Sequence, residues 1–297
     1  MRPAPWALGP MPPWPGGAYG RLMGLVVIIL AAVYGVTGGL LLPRAAYRLS
    51  VEPDRPWRDR CPEGHPLPGW LGLARCPGGP EGTGGPEGTG GPEDPEGPQD
   101  PARTPPGGRP SPARPHPYGP SSIRTAALSG AVCAALAAAG GPRPEVAAFV
   151  ALAPALVLLA LVDLAVHRLP DPLTLPLAAL TAALLGGAAL LPRAAGSWRL
   201  ALLGGAALGA SYLVLFLINP AGMGFGDVKL ALSLGVALGW YGWGVWIAGT
   251  FLGFLYGASY GLALVLRGRG GLKAAIPFGP FMAAGALTGV LLGGFGA

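Results

Sequence analysis

The chain has 297 residues, 51% of them hydrophobic and only 11% charged, with a formal net charge of +6. Soluble globular domains carry roughly 25% charged residues, so this composition excludes that class and indicates a polytopic membrane protein. The positive balance is not a nucleic-acid signature, because the arginines are scattered over loops and helix ends without a basic stripe or interleaved aromatics.

In chain order, a proline-rich tail (1–21) leads into the apolar run Leu22–Leu42. That run is longer than a signal-peptide core, and no small-residue cleavage site follows it. It reads as the first transmembrane helix. A polar stretch (43–120) comes next. Its residues 78–117 include a tandem Gly-Gly-Pro-Glu-Gly-Thr repeat and lack the apolar surface needed to offset chain entropy, so disorder is expected there.

The remaining 121–297 hold seven further apolar segments: Ile123–Ala139, Val146–Val166, Leu173–Leu191, Trp198–Ile218, Val228–Leu238, Gly242–Leu266 and Ile276–Phe295. Most approach the ~20 residues that a bilayer core requires. Val228–Leu238 is short enough for a half-span. The aromatics of Gly239-Trp-Tyr-Gly-Trp243 suit a membrane–water interface. The expected fold is all-α, a polytopic transmembrane helical bundle of about eight segments embedded in the lipid bilayer, with a disordered Pro/Gly-rich loop after the first.

Arginine and lysine bias sets the orientation. The loops after segments one, three, five and seven carry Arg44, Arg48, the linker arginines, Arg168, Lys229, Arg267, Arg269 and Lys273. The opposite side carries Arg2, Arg21, Arg143, Arg193 and Arg199. The heavier set is expected to be cytoplasmic.

Beyond Tyr118 there are four carboxylates: Glu145, Asp163, Asp171 and Asp227. A charged acid at the bilayer centre costs roughly 2.5–3.5 kcal/mol on insertion scales, so an intramembrane acid points to function. Asp163 lies near the end of its apolar run and Asp227 just before another, both toward the expected cytoplasmic side. Each has a bland alternative. Asp227 reads equally as an N-cap after a glycine turn, and Asp163 as an interfacial ion pair with His167 or Arg168. Pro170 and Asp171 read as helix stop and following cap. Gly224 and Gly226 give the backbone access to positive φ and allow close approach of another segment.

The two acids together carry more. Two close carboxylates in a dry site share one proton. The charged one can take a proton from water while the protonated one donates to a carbonyl, which is the logic of aspartic proteolysis. That chemistry needs no metal and no cofactor. A transporter that uses Asp163 and Asp227 as ion or proton sites is the alternative reading.

These residues resemble a known family. Gly224-Phe-Gly-Asp227 is similar to the GxGD signature of the type IV prepilin peptidases, which are intramembrane aspartic proteases. Asp163 with Leu169-Pro170-Asp171 resembles the family's first aspartate block, and Ile276-Pro-Phe-Gly-Pro-Phe281 its third motif. The resemblance implies a helical bundle in the bacterial inner membrane that removes the basic leader of prepilins or pseudopilins after a glycine. Asp163 and Asp227 would be the catalytic acids, with Gly224 and Gly226 shaping the loop. Lys229, Arg168 and Asp171 match motif positions without an assigned role.

Many family members also carry two Cys-x-x-Cys pairs that bind zinc. Here Cys61-Pro-Glu-Gly-His65 and Cys76-Pro-Gly-Gly keep one cysteine of each pair. Three ligands with a remote His116 fall short of a good tetrahedral set. No metal is therefore expected, and N-methyltransferase activity is placed in doubt.

Overall fold

The computed structural model describes residues 18–52, 55–76, 116–220, 223–268 and 277–297. The sequence expectations for residues 1–17, for the low-complexity stretch 77–115 and for Gly222, Lys273 and Ile276 lie outside these. The described residues form eight helices: α1 (Ala18–Leu49), α2 (Ser122–Gly140), α3 (Pro144–Val166), α4 (Asp171–Ala189), α5 (Trp198–Ile218), α6 (Phe225–Gly239), α7 (Trp243–Leu266) and α8 (Gly279–Gly296). Two short strands, β1 (Arg75–Cys76) and β2 (His116–Pro117), pair antiparallel.

All helices except α6 are long and apolar enough to cross a membrane, and the chain is a multi-pass membrane protein. Large apolar side chains such as Leu25, Ile29, Leu30, Ile247 and Phe251 are exposed on the outer faces. In water such a belt would be a liability; in lipid it is the solvated surface.

Without a hydrophobic force between helices in lipid, close packing must come from small residues. The helix contacts follow that rule. A Cβ added at Gly35 of α1 would lie 2.5 Å from the Ser129 carbonyl oxygen of α2. One added at Gly235 of α6 would lie 2.5 Å from the Gly204 carbonyl oxygen of α5. Gly249 and Gly253 of α7 face Gly285 of α8 in the same way.

Three features depart from expectation. First, α1 continues past Leu42 to Leu49 through Pro43. Leu42, Ala45, Ala46 and Leu49 recur at helical spacing and bury against Val157, Leu158 and Val162 of α3. Second, α6 begins three residues before the expected segment. At 15 residues, about 22 Å, it is still short for a span, and at its far end the Trp240 carbonyl accepts from the Ser197 backbone N–H, 2.9 Å away in the α4–α5 loop. Third, Trp240 is not an interfacial aromatic: it is 1% exposed. Trp243, largely exposed, fits the interface better.

The loop after α1 is also partly ordered. Arg48 of α1 donates to the Leu67 and Gly69 carbonyls at 3.1 and 2.8 Å, and Arg44 to the Leu71 carbonyl at 3.3 Å. Tyr118 stacks edge-on against Tyr47 at 5.0 Å. Cys61, Leu67, Ala74, Cys76 and Tyr118 form a small buried cluster on the end of α1. His116 and Pro117, expected to lie in the disordered stretch, are instead paired in β2.

Candidate active site

Three helix ends meet at one end of the bundle: the C-terminus of α3 and the N-termini of α6 and α8. Asp163 sits in the last turn of α3, where the chain stops at His167 in the left-handed region (φ 52°), whose N–H bonds the Asp163 carbonyl at 2.8 Å. Asp227 sits in the first turn of α6. Both acids are buried, at 4% and 8% exposure. They are close enough for the charge of Asp163 to act on Asp227.

The cap reading of Asp227 does not hold, and the ion-pair reading of Asp163 reduces to a longer-range interaction with His167. Gly224, not Asp227, is the N-cap of α6, and the Asp227 N–H bonds back to its carbonyl at 3.0 Å. Among the described residues, neither His167 nor Arg168 ion-pairs with Asp163. Asp163 is instead held by α8: the Gly279 backbone N–H donates to its Oδ2 at 3.0 Å. An acid at a helix C-terminus is opposed by that helix's dipole, and here it is answered by the N-terminus of another.

Of the two parts expected of these glycines, close approach is seen at Gly226 and positive φ at neither. Neither takes a positive φ: Gly224 has φ −74°, ψ 143°, and Gly226 is not among the positive-φ residues. Gly226 serves close approach. A Cβ there would lie 2.9 Å from Leu169 Cβ and 3.4 Å from its nitrogen. Its bareness lets the α3–α4 loop press on the start of α6, and so brings the two acids to the same place. Gly224 has nothing tight around it; a Cβ there would be 3.8 Å from Asp227 Oδ2.

Lys229 pairs with Asp171, Nζ to Oδ1 at 2.6 Å, and lies over the Phe225 ring at 4.8 Å. This bridge ties the first turn of α6 to that of α4. Asp171 is the first residue of α4 rather than its cap, which is Pro170.

Two contributors were not singled out from sequence. Gly279 lies inside the third motif, but only the fold shows its N–H on Asp163 and its lack of a side chain: a Cβ would meet Asp163 Oδ2 at 2.8 Å. Tyr212, in the middle of an apolar helix, is 3% exposed and lies within electrostatic reach of Asp227. Its ring stacks on Phe254 at 5.7 Å and meets Phe278, the N-cap of α8, at 6.2 Å. A tyrosine next to Ser211 in a leucine-rich span was the available signal.

Beside the acids, an apolar cleft of about 240 Å³ opens between α2, α3, α6 and α8. Leu164 and Pro280, the neighbours of Asp163 and Gly279, line it together with Val157, Leu161, Ala237 and Ala283.

Away from the membrane core, Cys61, His65, Cys76 and His116 place one ligand atom each within 4.8 Å of one another. Burial raises the Cys61 thiol pKa, but hydrogen bonds from the Glu63 backbone, His116 and His65 outweigh it and bring the value to about 7. His116 is thus not remote, as its sequence position implied.

Residues 150–266 match the Type IV leader peptidase family, a stretch that holds both acids. A prepilin leader peptidase/N-methyltransferase of Burkholderia pseudomallei is 35% identical over 175 residues, covering 56% of this chain and 52% of that protein. One from Aeromonas hydrophila is 36% identical over 183 residues, covering 58% and 57%. One from Bacillus subtilis is 39% identical over 97 residues, covering 33% and 38%. The chain thus spans about half the length of the first two of these relatives. No solved structure gives a significant match. Over the matched stretch the chain is similar to the Type IV leader peptidase family, the likeness that the motifs around Asp163 and Asp227 implied.

Proposed function

We propose that this protein is an intramembrane aspartic endopeptidase of the bacterial inner membrane, cutting the basic leader from prepilin-like or pseudopilin substrates after a glycine. The observation that carries the reading is the meeting of Asp163 and Asp227 in a buried site built from three helix ends, with the Gly279 N–H on one carboxyl. In this reading one acid holds the shared proton and the other is charged. The charged carboxylate takes a proton from water as the water attacks the scissile carbonyl. The protonated one donates to the carbonyl oxygen; the tetrahedral intermediate then collapses as the acid that took the water's proton passes it to the leaving nitrogen and its partner takes back a proton from the hydroxyl, which releases the amine and a carboxylic acid.

The apolar cleft beside Asp163 and Gly279 supports docking of the substrate's apolar helix, which would set the scissile bond at the acids and leave the basic leader on the cytoplasmic side. The reading takes the peptidase half of the relatives' double name, because the matched family stretch begins beyond the cysteine loop.

The test is mass spectrometry of a prepilin-type substrate's N-terminus after exposure to the purified protein and to its Asp163→Asn and Asp227→Asn variants. The expected result is cleavage after glycine by the parent and none by either variant, with membrane insertion unchanged. An uncut substrate with the parent protein, or near-normal cutting by either variant, defeats the assignment.

A further inference from the structure

The loop after α1 turns back to the level at which the helices enter the apolar layer. The first apolar run ends at Leu42. Beside that end, the Gly72 N–H bonds the Leu41 carbonyl at 2.8 Å, and the Gly72 carbonyl accepts the Arg44 N–H at 3.2 Å. Gly72 takes φ 148°, and a Cβ there would lie 2.7 Å from the Arg44 guanidinium carbon, so a bare residue is needed for this approach. Two residues on, the Ala74 N–H reaches the Ser122 hydroxyl at 3.4 Å. Ser122 opens α2, and the second apolar segment starts at Ile123. The segment 70–73 is therefore tied to two spans at the depth where both leave the apolar layer.

Its side chains suit that depth. Among the described residues, Leu71 is 58% exposed and Ile123 73%, with Trp70 and Leu73 exposed beside them. Leu41, whose carbonyl holds Gly72, is itself exposed in the lipid-facing belt, so these residues continue the belt rather than start a separate patch. Trp70 meets Trp57 edge-on at 5.0 Å and lies under the Arg48 guanidinium at 4.5 Å. Amphipathic rings of this kind collect at the headgroup level. The apolar side chains are flanked by exposed arginines, Arg75 after Leu73 and Arg124 after Ile123. Among the described residues, neither forms an ion pair with a carboxylate. The shape of the edge is also set from beneath, since Arg44 and Arg48 spend their donors on the Leu67, Gly69 and Leu71 carbonyls.

We propose that Trp70, Leu71, Leu73 and Ile123 form an interfacial edge seated among the lipid headgroups and upper acyl chains, and that Arg75 and Arg124 draw anionic phospholipid to it. Apolar side chains at the boundary are solvated by acyl chains, while the longer arginines reach the phosphate layer. An arginine near the surface attracts anionic lipid by about 1 kcal/mol, or about fivefold. The edge lies at the same end of the bundle as the two acids, because the Leu42–Leu49 face of α1 packs on Val162, the neighbour of Asp163. The loop would thus lie flat on the leaflet that borders the active site.

The test uses full-length protein in nanodiscs of zwitterionic lipid with a minority of phosphatidylglycerol. The photo-crosslinker p-benzoylphenylalanine replaces Leu71, and in a control it replaces Ile247, which is exposed on the outer face of α7. Adducts are identified by mass spectrometry. Position 71 is expected to capture phospholipid, with phosphatidylglycerol enriched about fivefold over its share of the disc. Position 247 should capture lipid at the bulk ratio. Arg75→Gln combined with Arg124→Gln should bring the adducts at position 71 to the bulk ratio without reducing their yield, and raised salt should act in the same direction. Adducts at position 71 to residues 77–115, to a second copy of the chain or to solvent in place of lipid would overturn the proposal. So would lipid adducts at the bulk ratio in the protein that keeps both arginines.

Discussion

Gly279→Ala separates the needs of the site from those of its helix. Glycine is roughly 0.8–1.0 kcal/mol poorer than alanine inside a helix, so helix propensity alone predicts unchanged or slightly raised stability for a substitution in the first turn of α8. The site predicts the opposite for function. The new methyl would start 2.8 Å from Asp163 Oδ2 and 3.3 Å from Cγ, where ordinary contacts begin at 3.4 Å. The carboxyl must retreat by about 0.6 Å, and it is the same carboxyl that accepts the Gly279 N–H at 3.0 Å. A hydrogen bond to a charged group contributes about 1.5–3 kcal/mol, which at 1.36 kcal/mol per decade is about a 10- to 150-fold loss in rate. Displacing a catalytic group by about 1 Å costs a similar 10²-fold. The assay is cleavage of a prepilin-type substrate by purified protein, with a thermal melt of the same sample. Cleavage at the parent rate would refute the placement of Asp163 against α8; a large drop in melting temperature would show that the defect lies in folding.

Two further outcomes follow from the same geometry. Gly226→Val puts a branched side chain where even a Cβ would sit 2.9 Å from Leu169 Cβ; overpacking of this kind costs about 1–3 kcal/mol, so a lower melting temperature and loss of cleavage are expected together. Asp171→Asn breaks the Lys229 bridge, but the Asp171 side chain is 62% exposed, and exposed pairs contribute about 0–1 kcal/mol; melting and cleavage should both stay close to parent, and a marked fall in either would show that the bridge holds the site.

The eight helices were legible because the length of an apolar run states bilayer thickness almost directly, and Trp198–Ile218 is found with the expected bounds. What failed were features set by neighbours distant in sequence. The first apolar run stops at Leu42, yet α1 continues because its Leu42–Leu49 face is held by α3. Gly226 was expected to admit another segment, but that the segment is Leu169 is visible only in the fold. His116 looks remote because strands of two residues carry no periodic signal, and only the β1–β2 register brings it to Cys76. Of the three buried acids, Glu145, Asp163 and Asp227, cost singled out the last two, which lie within electrostatic reach of each other.

On the proposed reading, the surroundings of the acids leave them available for proton transfer. An acid locked against a full positive charge strongly favours its charged form and is a poor proton carrier. Lys229 is two residues from Asp227, but residues two apart on a helix do not share a face. Its ammonium is turned outward to Asp171. Asp163 accepts a backbone N–H, and His167, though within electrostatic reach, makes no close ion pair with it. Among the described residues, neither acid forms an ion pair. The charge that each could carry is answered by helix N-termini, which supply partial rather than full positive charge. Such a setting steadies a carboxylate without fixing its protonation state, as a pair that must exchange one proton between its members requires.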